Sequence, residues 1–116
     1  MAAARATARA FDRAAPVFAA LGDATRLRIV ARLCDGGPQS IVRLTEGAEV
    51  SRQAITKHLH ALEAAGLVCG AREGRERVWA LQPRRLDEVS RYLEAISAQW
   101  DAALTRLRRF VEADER

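Results

Sequence analysis

Between residues 84 and 111 the apolar residues Leu86, Val89, Leu93, Ile96, Trp100, Ala103, Leu107 and Phe110 recur at alternating spacings of three and four. This is the a/d seam of a heptad, a line that such residues share on an α-helix. Tyr92, Leu104 and Val111 widen the stripe. At 1.5 Å per residue the helix is ~40 Å long. The chain has 116 residues, enough for one small domain. A domain of that size buries only ~65% of its unfolded surface, too little core to cover the whole stripe. Part of the helix must lie across the chain's own core. The excess seam is expected to pair with a second copy, with Leu86, Val89, Leu93, Ile96, Trp100, Leu104 and Leu107 at the interface.

Composition narrows the class. Hydrophobic residues make up 49%, yet only six are aromatic. No run of about 18 apolar residues offers a membrane span. The start, "MAAARATARAFDRAAP", is too interrupted by arginine and aspartate for a signal peptide, so a cytoplasmic protein is expected. The two cysteines, Cys34 and Cys69, do not make a disulfide framework. Net charge is +4, and all but one of the 19 basic residues are arginine. That excess is compatible with nucleic acid and does not by itself establish it.

Upstream of the seam, residues 3–21 read as a helix anchored by Phe11, Val17, Phe18 and Leu21, with a kink or a fresh start at Pro16. In "GDATRLRIVARLCDGG" Asp23 is a good N-cap and Leu27, Val30 and Leu33 form a stripe, stopped by Gly36-Gly37-Pro38. Ser40 can cap a short helix carrying Ile41 and Leu44. After a break at 47–49, Ser51 caps a second helix with a core stripe of Ile55, Leu59 and Leu62, ended by Gly66. "LVCGAREGRERVWAL", residues 67–81, then reads as a hairpin with Glu73-Gly74-Arg75-Glu76 at its tip.

On a helical wheel at ~100° per residue, the helix after Ser51 turns Arg52, Gln53, Thr56, Lys57 and His60 away from its apolar stripe. No acid follows until Glu63. Gln and Arg can bond base edges in pairs, Thr can bond or touch a thymine methyl, and Lys can hold phosphate, so the face suits a DNA major groove. The plain alternative is a solvated helix face. Context favours DNA, since a short helix, a tight break and a second capped helix make a helix-turn-helix. The hairpin beside it carries Arg72, Arg75 and Arg77 and can reach the neighbouring backbone as a wing, although Glu73 and Glu76 dilute its charge. Arg75 is the best placed, with Arg77 behind it. His58 and His60, two apart, point to different sides and cannot share a metal within one helix. His58 reads as a packed structural residue, and His60 as a phosphate or base contact or simply solvated.

"ALGDATRLRIVARL", "VSRQAITKHLHALEAAGLV" and "REGRERVWAL", in that order and spacing, resemble the ArsR/SmtB winged-helix repressors across residues 17–82. The resemblance implies a mainly α fold with a small β-hairpin wing, read here as one winged helix-turn-helix domain over 1–116. Its helix-turn-helix would lie at about 40–65, its wing at about 67–81 and its dimerisation helix at about 84–111. It also implies a homodimer on an inverted repeat of double-stranded operator DNA, with contacts from Ser51, Arg52, Gln53, Thr56 and Lys57. Many relatives place the turn glycine two residues before the serine cap. Here that position is Glu49 and the glycine is Gly47, so the family's turn would ask a positive φ of a non-glycine residue.

The family's sensory ligands are absent from their usual places. "SIVRLTEG" has no cysteine, and the C-terminal helix has neither histidine nor cysteine, whereas soft and borderline metals need thiolate or imidazole. No metal or cofactor is therefore expected. Cys34 and Cys69 read as small, partly buried apolar residues, with a thiol, redox or arsenic sensor as the alternative. Tyr92, Trp100 and Phe110 are candidates for an inducer pocket between paired helices, or simply core. A winged helix serving as a protein-interaction module is the competing class. An enzyme is not expected, since no nucleophile elbow, P-loop or zincin motif occurs.

Overall fold

A computed structural model describes residues 2–114, with side chains from residue 9 onward. Five helices and three short strands follow one another as α1 (Ala2–Leu21), α2 (Ala24–Gly36), β1 (Gln39–Ser40), α3 (Ile41–Thr45), α4 (Arg52–Ala64), β2 (Val68–Glu73), β3 (Glu76–Leu81) and α5 (Pro83–Asp114). No helix among the described residues is long and apolar enough to cross a membrane.

Each boundary has a local cause. Asp23 accepts from Arg26 N, Ser40 from Arg43 N and Ser51 from Ala54 N, so α2, α3 and α4 all begin on a side-chain cap. At the end of α4, Gly66 takes φ 80° while Gly66 N donates to Glu63 O and Leu67 N to Leu62 O. These paired bonds satisfy carbonyls that the helix would otherwise leave open. Pro83 opens α5, where its missing N–H costs nothing. α1 runs on through Pro16 with no fresh start.

The core gathers one stripe from each element. Val17, Leu33, Leu44, Ile55, Leu59, Leu62, Leu67 and Trp79 enclose it, and Val89 closes it from α5. Burying a side chain of that size contributes ~1.5–3 kcal/mol. Two expectations are corrected here. In α2 the buried trio is Ile29, Val30 and Leu33, while Leu27 is half exposed, because Ile29 and Val30 lie four and three residues from Leu33 and Leu27 falls to the flank. In α1, Phe11 and Phe18 are not core anchors. They stay exposed and flank Tyr92 of α5, with ring centroids 6.4 and 6.2 Å away.

The wing belongs to a three-stranded antiparallel sheet ordered β1-β3-β2, not to a free-standing hairpin. Gln39 pairs with Trp79 and Ser40 with Val78. Gln39 is buried, and its Nε2 donates to Arg32 O at 2.7 Å. At the other edge, Glu73 opposes Glu76 across a two-residue loop in which Gly74 takes φ 62°.

α5 divides into two parts. Val89 is buried in the protomer's own core and Leu86 packs against that core, so these two are withdrawn from the expected pairing seam. Tyr92 and Ile96 are half-buried. Beyond them Leu93, Trp100, Leu104, Leu107, Phe110 and Val111 are exposed, Phe110 at 72%. The helix extends far past the globular part, giving principal extents of 71 × 32 × 20 Å.

Candidate nucleic-acid interface

α4 stands on its buried stripe of Ile55, Leu59 and Leu62, which fixes the direction of its outer face. Arg52, Gln53, Lys57 and His60 are exposed there and Thr56 is half-buried. Two of these groups are already partly engaged. The Ser51 hydroxyl oxygen accepts from Ala54 N at 3.1 Å as the helix cap, which leaves its own proton free to donate. Thr56 Oγ1 donates to Arg52 O at 2.9 Å, which commits its proton and leaves the oxygen's lone pairs and the methyl. Arg52, Gln53 and Lys57 make no side-chain hydrogen bond or ion pair within the described residues, so their full donor sets face solvent.

The turn before α4 departs from the family pattern without strain. Gly47 takes the positive φ, 73°, and among the described residues no non-glycine residue has one. Glu49 is thus relieved of the conformation that its position suggested. Arg32 of α2 secures this corner. Its guanidinium donates to Leu44 O and Arg43 O, each at 2.8 Å, and to Glu46 O at 3.0 Å. These are C-terminal carbonyls of the short α3 and its cap, and a cation suits them electrostatically.

The root of the wing is pinned to α4. Glu63 Oε2 accepts from Gly70 N at 3.2 Å and lies 3.6 Å from Arg77 Nη2. The Arg77 guanidinium also sits over the Trp79 ring, 4.7 Å from its centroid, where the ring face attracts a cation. Gly70 makes this possible, because a Cβ there would come within 2.5 Å of Arg77 Nε. His60 meets Trp79 edge-on at 5.7 Å, and its Nδ1 lies 3.7 Å from Glu63 Oε1. Arg77 and His60 therefore belong to the joint between recognition helix and wing, while Arg75 is exposed at the tip with no ion-pair partner among the described residues.

The sequence reading missed Glu63, Arg32 and Arg26 as organising groups. It treated Glu63 only as the acid that ends the basic face. Arg26 Nε donates to His58 Nδ1 at 3.2 Å, so His58 is the hydrogen-bonded packing residue the sequence suggested. Cys34 is exposed at the end of α2, not a partly buried apolar residue, because Gly36-Gly37 ends the helix at the surface. Cys69 is half-buried in β2, and both thiols are free. Among the described residues no three His, Cys, Asp or Glu side chains group as metal ligands would.

Residues 21–68 match a family described as a helix-turn-helix domain. An HTH-type transcriptional regulator of Mycobacterium tuberculosis, Rv2034, is 36% identical over 108 residues, covering 93% of this chain and 94% of that protein. An ArsR-like transcriptional regulator from Rhodococcus sp. RHA1 superposes with a TM-score of 0.73 at 42% identity, over 86% of this chain and 93% of that one. The homodimeric winged helix-turn-helix DNA-binding domain Mb0332 of Mycobacterium bovis shares the fold, with a TM-score of 0.60 at 24% identity over 85% and 88% of the two chains.

Proposed function

The chain belongs to the ArsR family of winged helix-turn-helix transcriptional regulators, a DNA-binding and non-enzymatic class, and within it we propose a homodimeric repressor that reads an inverted repeat and does not respond to transition metals. The reading takes residues 1–116 as one winged-helix unit working in the cytoplasm. The observation that carries it is the unused donor set of Arg52, Gln53 and Lys57 on a helix whose opposite stripe, Ile55, Leu59 and Leu62, is buried.

On this proposal, Gln53 and Arg52 address base edges, the Thr56 methyl touches thymine, and Ser51, Lys57 and His60 hold phosphate. Arg75 reaches the flanking backbone, and Arg77 supports it from behind. Pairing rests on Leu93, Ile96, Trp100, Leu104 and Leu107. Leaving such side chains in water forgoes ~1.5–3 kcal/mol each, a penalty that a second α5 removes. The metal-independent reading rests on donor chemistry, since α5 offers the carboxylates of Asp87, Glu88, Glu94 and Asp101, which suit hard ions.

Footprinting on a site selected from random duplex DNA tests the proposal. A two-fold footprint is expected, with half-sites about one helical turn, ~10 bp, apart or a multiple of it. A monomer protecting a single half-site would refute it.

A further inference from the structure

Two adjoining cavities of about 200 and 300 Å³ run along the groove between α1 and α5. Ala10, Glu88 and Arg91 line both, so the two form one cleft. Arg13 and Arg85 wall the first chamber, and Tyr92 and Ile96 wall the second. Three guanidiniums thus face one carboxylate, and that carboxylate is already engaged. Arg85 Nη1 donates to Glu88 Oε2 at 2.8 Å, and this bond, with the charges of Arg13 and Arg84 nearby, holds the Glu88 carboxyl below its ordinary 4.5. Among the described residues neither Arg13 nor Arg91 has an ion-pair partner.

We propose that this cleft binds a small organic anion, its acidic group held by Arg13 and Arg91 and its flat apolar body laid along Tyr92 and Ala95. Charge complementarity selects the anion, because a neutral molecule would leave the arginines unanswered. The apolar chamber selects the body, because an inorganic ion would leave it wet. Guanidinium forks match a carboxylate or sulfonate in shape as well as charge.

The cleft is also wired to the recognition helix. Arg85 Nε donates to Ala65 O, the cap of α4, at 3.3 Å, and Nη2 donates to Arg13 O of α1 at 3.1 Å. Its stem lies 3.4–3.5 Å from where a Cβ on Gly66 would sit. An anion that draws Arg85 inward lengthens one of these bonds and shifts the end of α4. This consequence at DNA rests on the regulator reading, whereas occupancy of the cleft does not.

Calorimetry on the full chain separates the two, with 2-naphthoate as probe and 2-naphthamide and inorganic phosphate as controls. One naphthoate per chain is expected. Both controls, and naphthoate on the Arg13→Gln/Arg91→Gln double variant, should bind at least tenfold more weakly, ~1.4 kcal/mol. Both arginines are exposed, so the double variant should keep the wild-type circular dichroism spectrum. Equal binding of the amide or of phosphate, undiminished binding by the folded double variant, or no saturable binding at millimolar naphthoate overturns the site. Saturating naphthoate should also lower operator affinity severalfold in the wild type and not in the double variant. An unchanged wild-type affinity overturns the coupling through Arg85.

Discussion

Arg26 Nε donates to His58 Nδ1 at 3.2 Å, joining two residues thirty-two positions apart. The same guanidinium donates through Nη1 to Ala20 O at 3.1 Å, and Asp23 Oδ1 lies 4.0 Å from the same imidazole nitrogen. The end of α1, the start of α2 and the middle of α4 therefore converge on one arginine.

Arg26→Met and His58→Phe should each destabilise the fold by ~1–2 kcal/mol, and the double variant should lose less than the two together. Urea denaturation of the four proteins measures the coupling, expected at ~1 kcal/mol. Strict additivity would mean that the bond contributes nothing.

Gln53→Ala should cost ~1–3 kcal/mol on the cognate operator and relax the preference at one base pair. Arg75→Ala should instead weaken all duplexes alike and lower the salt slope by about one. Binding measured over a panel of single-base operator variants at several salt concentrations distinguishes them. Identical behaviour of the two variants would contradict the division into a reading helix and a positioning wing.

Acid should loosen the corner at Asp23. Its carboxyl is held below the ordinary 3.8 chiefly by the backbone N–H of Arg26, with His58 and the Arg26 charge adding to it. A depressed value in the folded state means that unfolding takes up a proton. The stabilisation is therefore present above that ordinary value and is lost as pH falls below it. Asp23→Asn keeps a capping oxygen but does not titrate, so its melting temperature should fall less steeply than the wild type's between neutral pH and about pH 3. Parallel curves for the two proteins would remove Asp23 from the acid response.

Leu93→Asp and Leu104→Asp should each give a folded monomer, because both side chains lie outside the protomer's own core. Val89→Asp should unfold the chain, since it places a carboxylate in the protomer's buried apolar core. Analytical sedimentation with circular dichroism reads both outcomes. A stable dimer of Leu104→Asp would exclude α5 as the pairing surface.

Zinc, cadmium and nickel should leave operator affinity unchanged. The measurement compares affinity with and without each ion, repeated on Cys34→Ser and Cys69→Ser. A metal-driven loss of tenfold or more, ~1.4 kcal/mol, that disappears in either serine variant would falsify the metal-independent reading and identify a thiol sensor.

The helices were legible because their signals are local. Asp23, Ser40 and Ser51 precede their helices by one residue, and Ile55, Leu59 and Leu62 repeat at the helical period. The outward face of α4 followed from the same arithmetic. What escaped depends on contacts between segments remote in sequence. β1 has only two residues, too few to alternate, and exists because Gln39 finds Trp79 forty residues on. Arg32 and Arg26 look like solvated helix charges until α3 and α4 place carbonyls and an imidazole within reach. The Arg77–Trp79 stack depends on the missing side chain of Gly70 across the strand pair, which no periodicity records.

The short ladder between β1 and β3 sets where the chain tolerates insertions. An extra residue between α2 and α3 would carry Ser40 away from Val78 and turn the strand's faces over, since side chains alternate along it. The cap of α3 would move with it, and with that cap the whole approach to the recognition helix. An extra residue at Gly74-Arg75 would alter only how far the hairpin reaches. Descendants of this chain are thus free to vary the length of the wing and are held to a fixed residue count between α2 and α3.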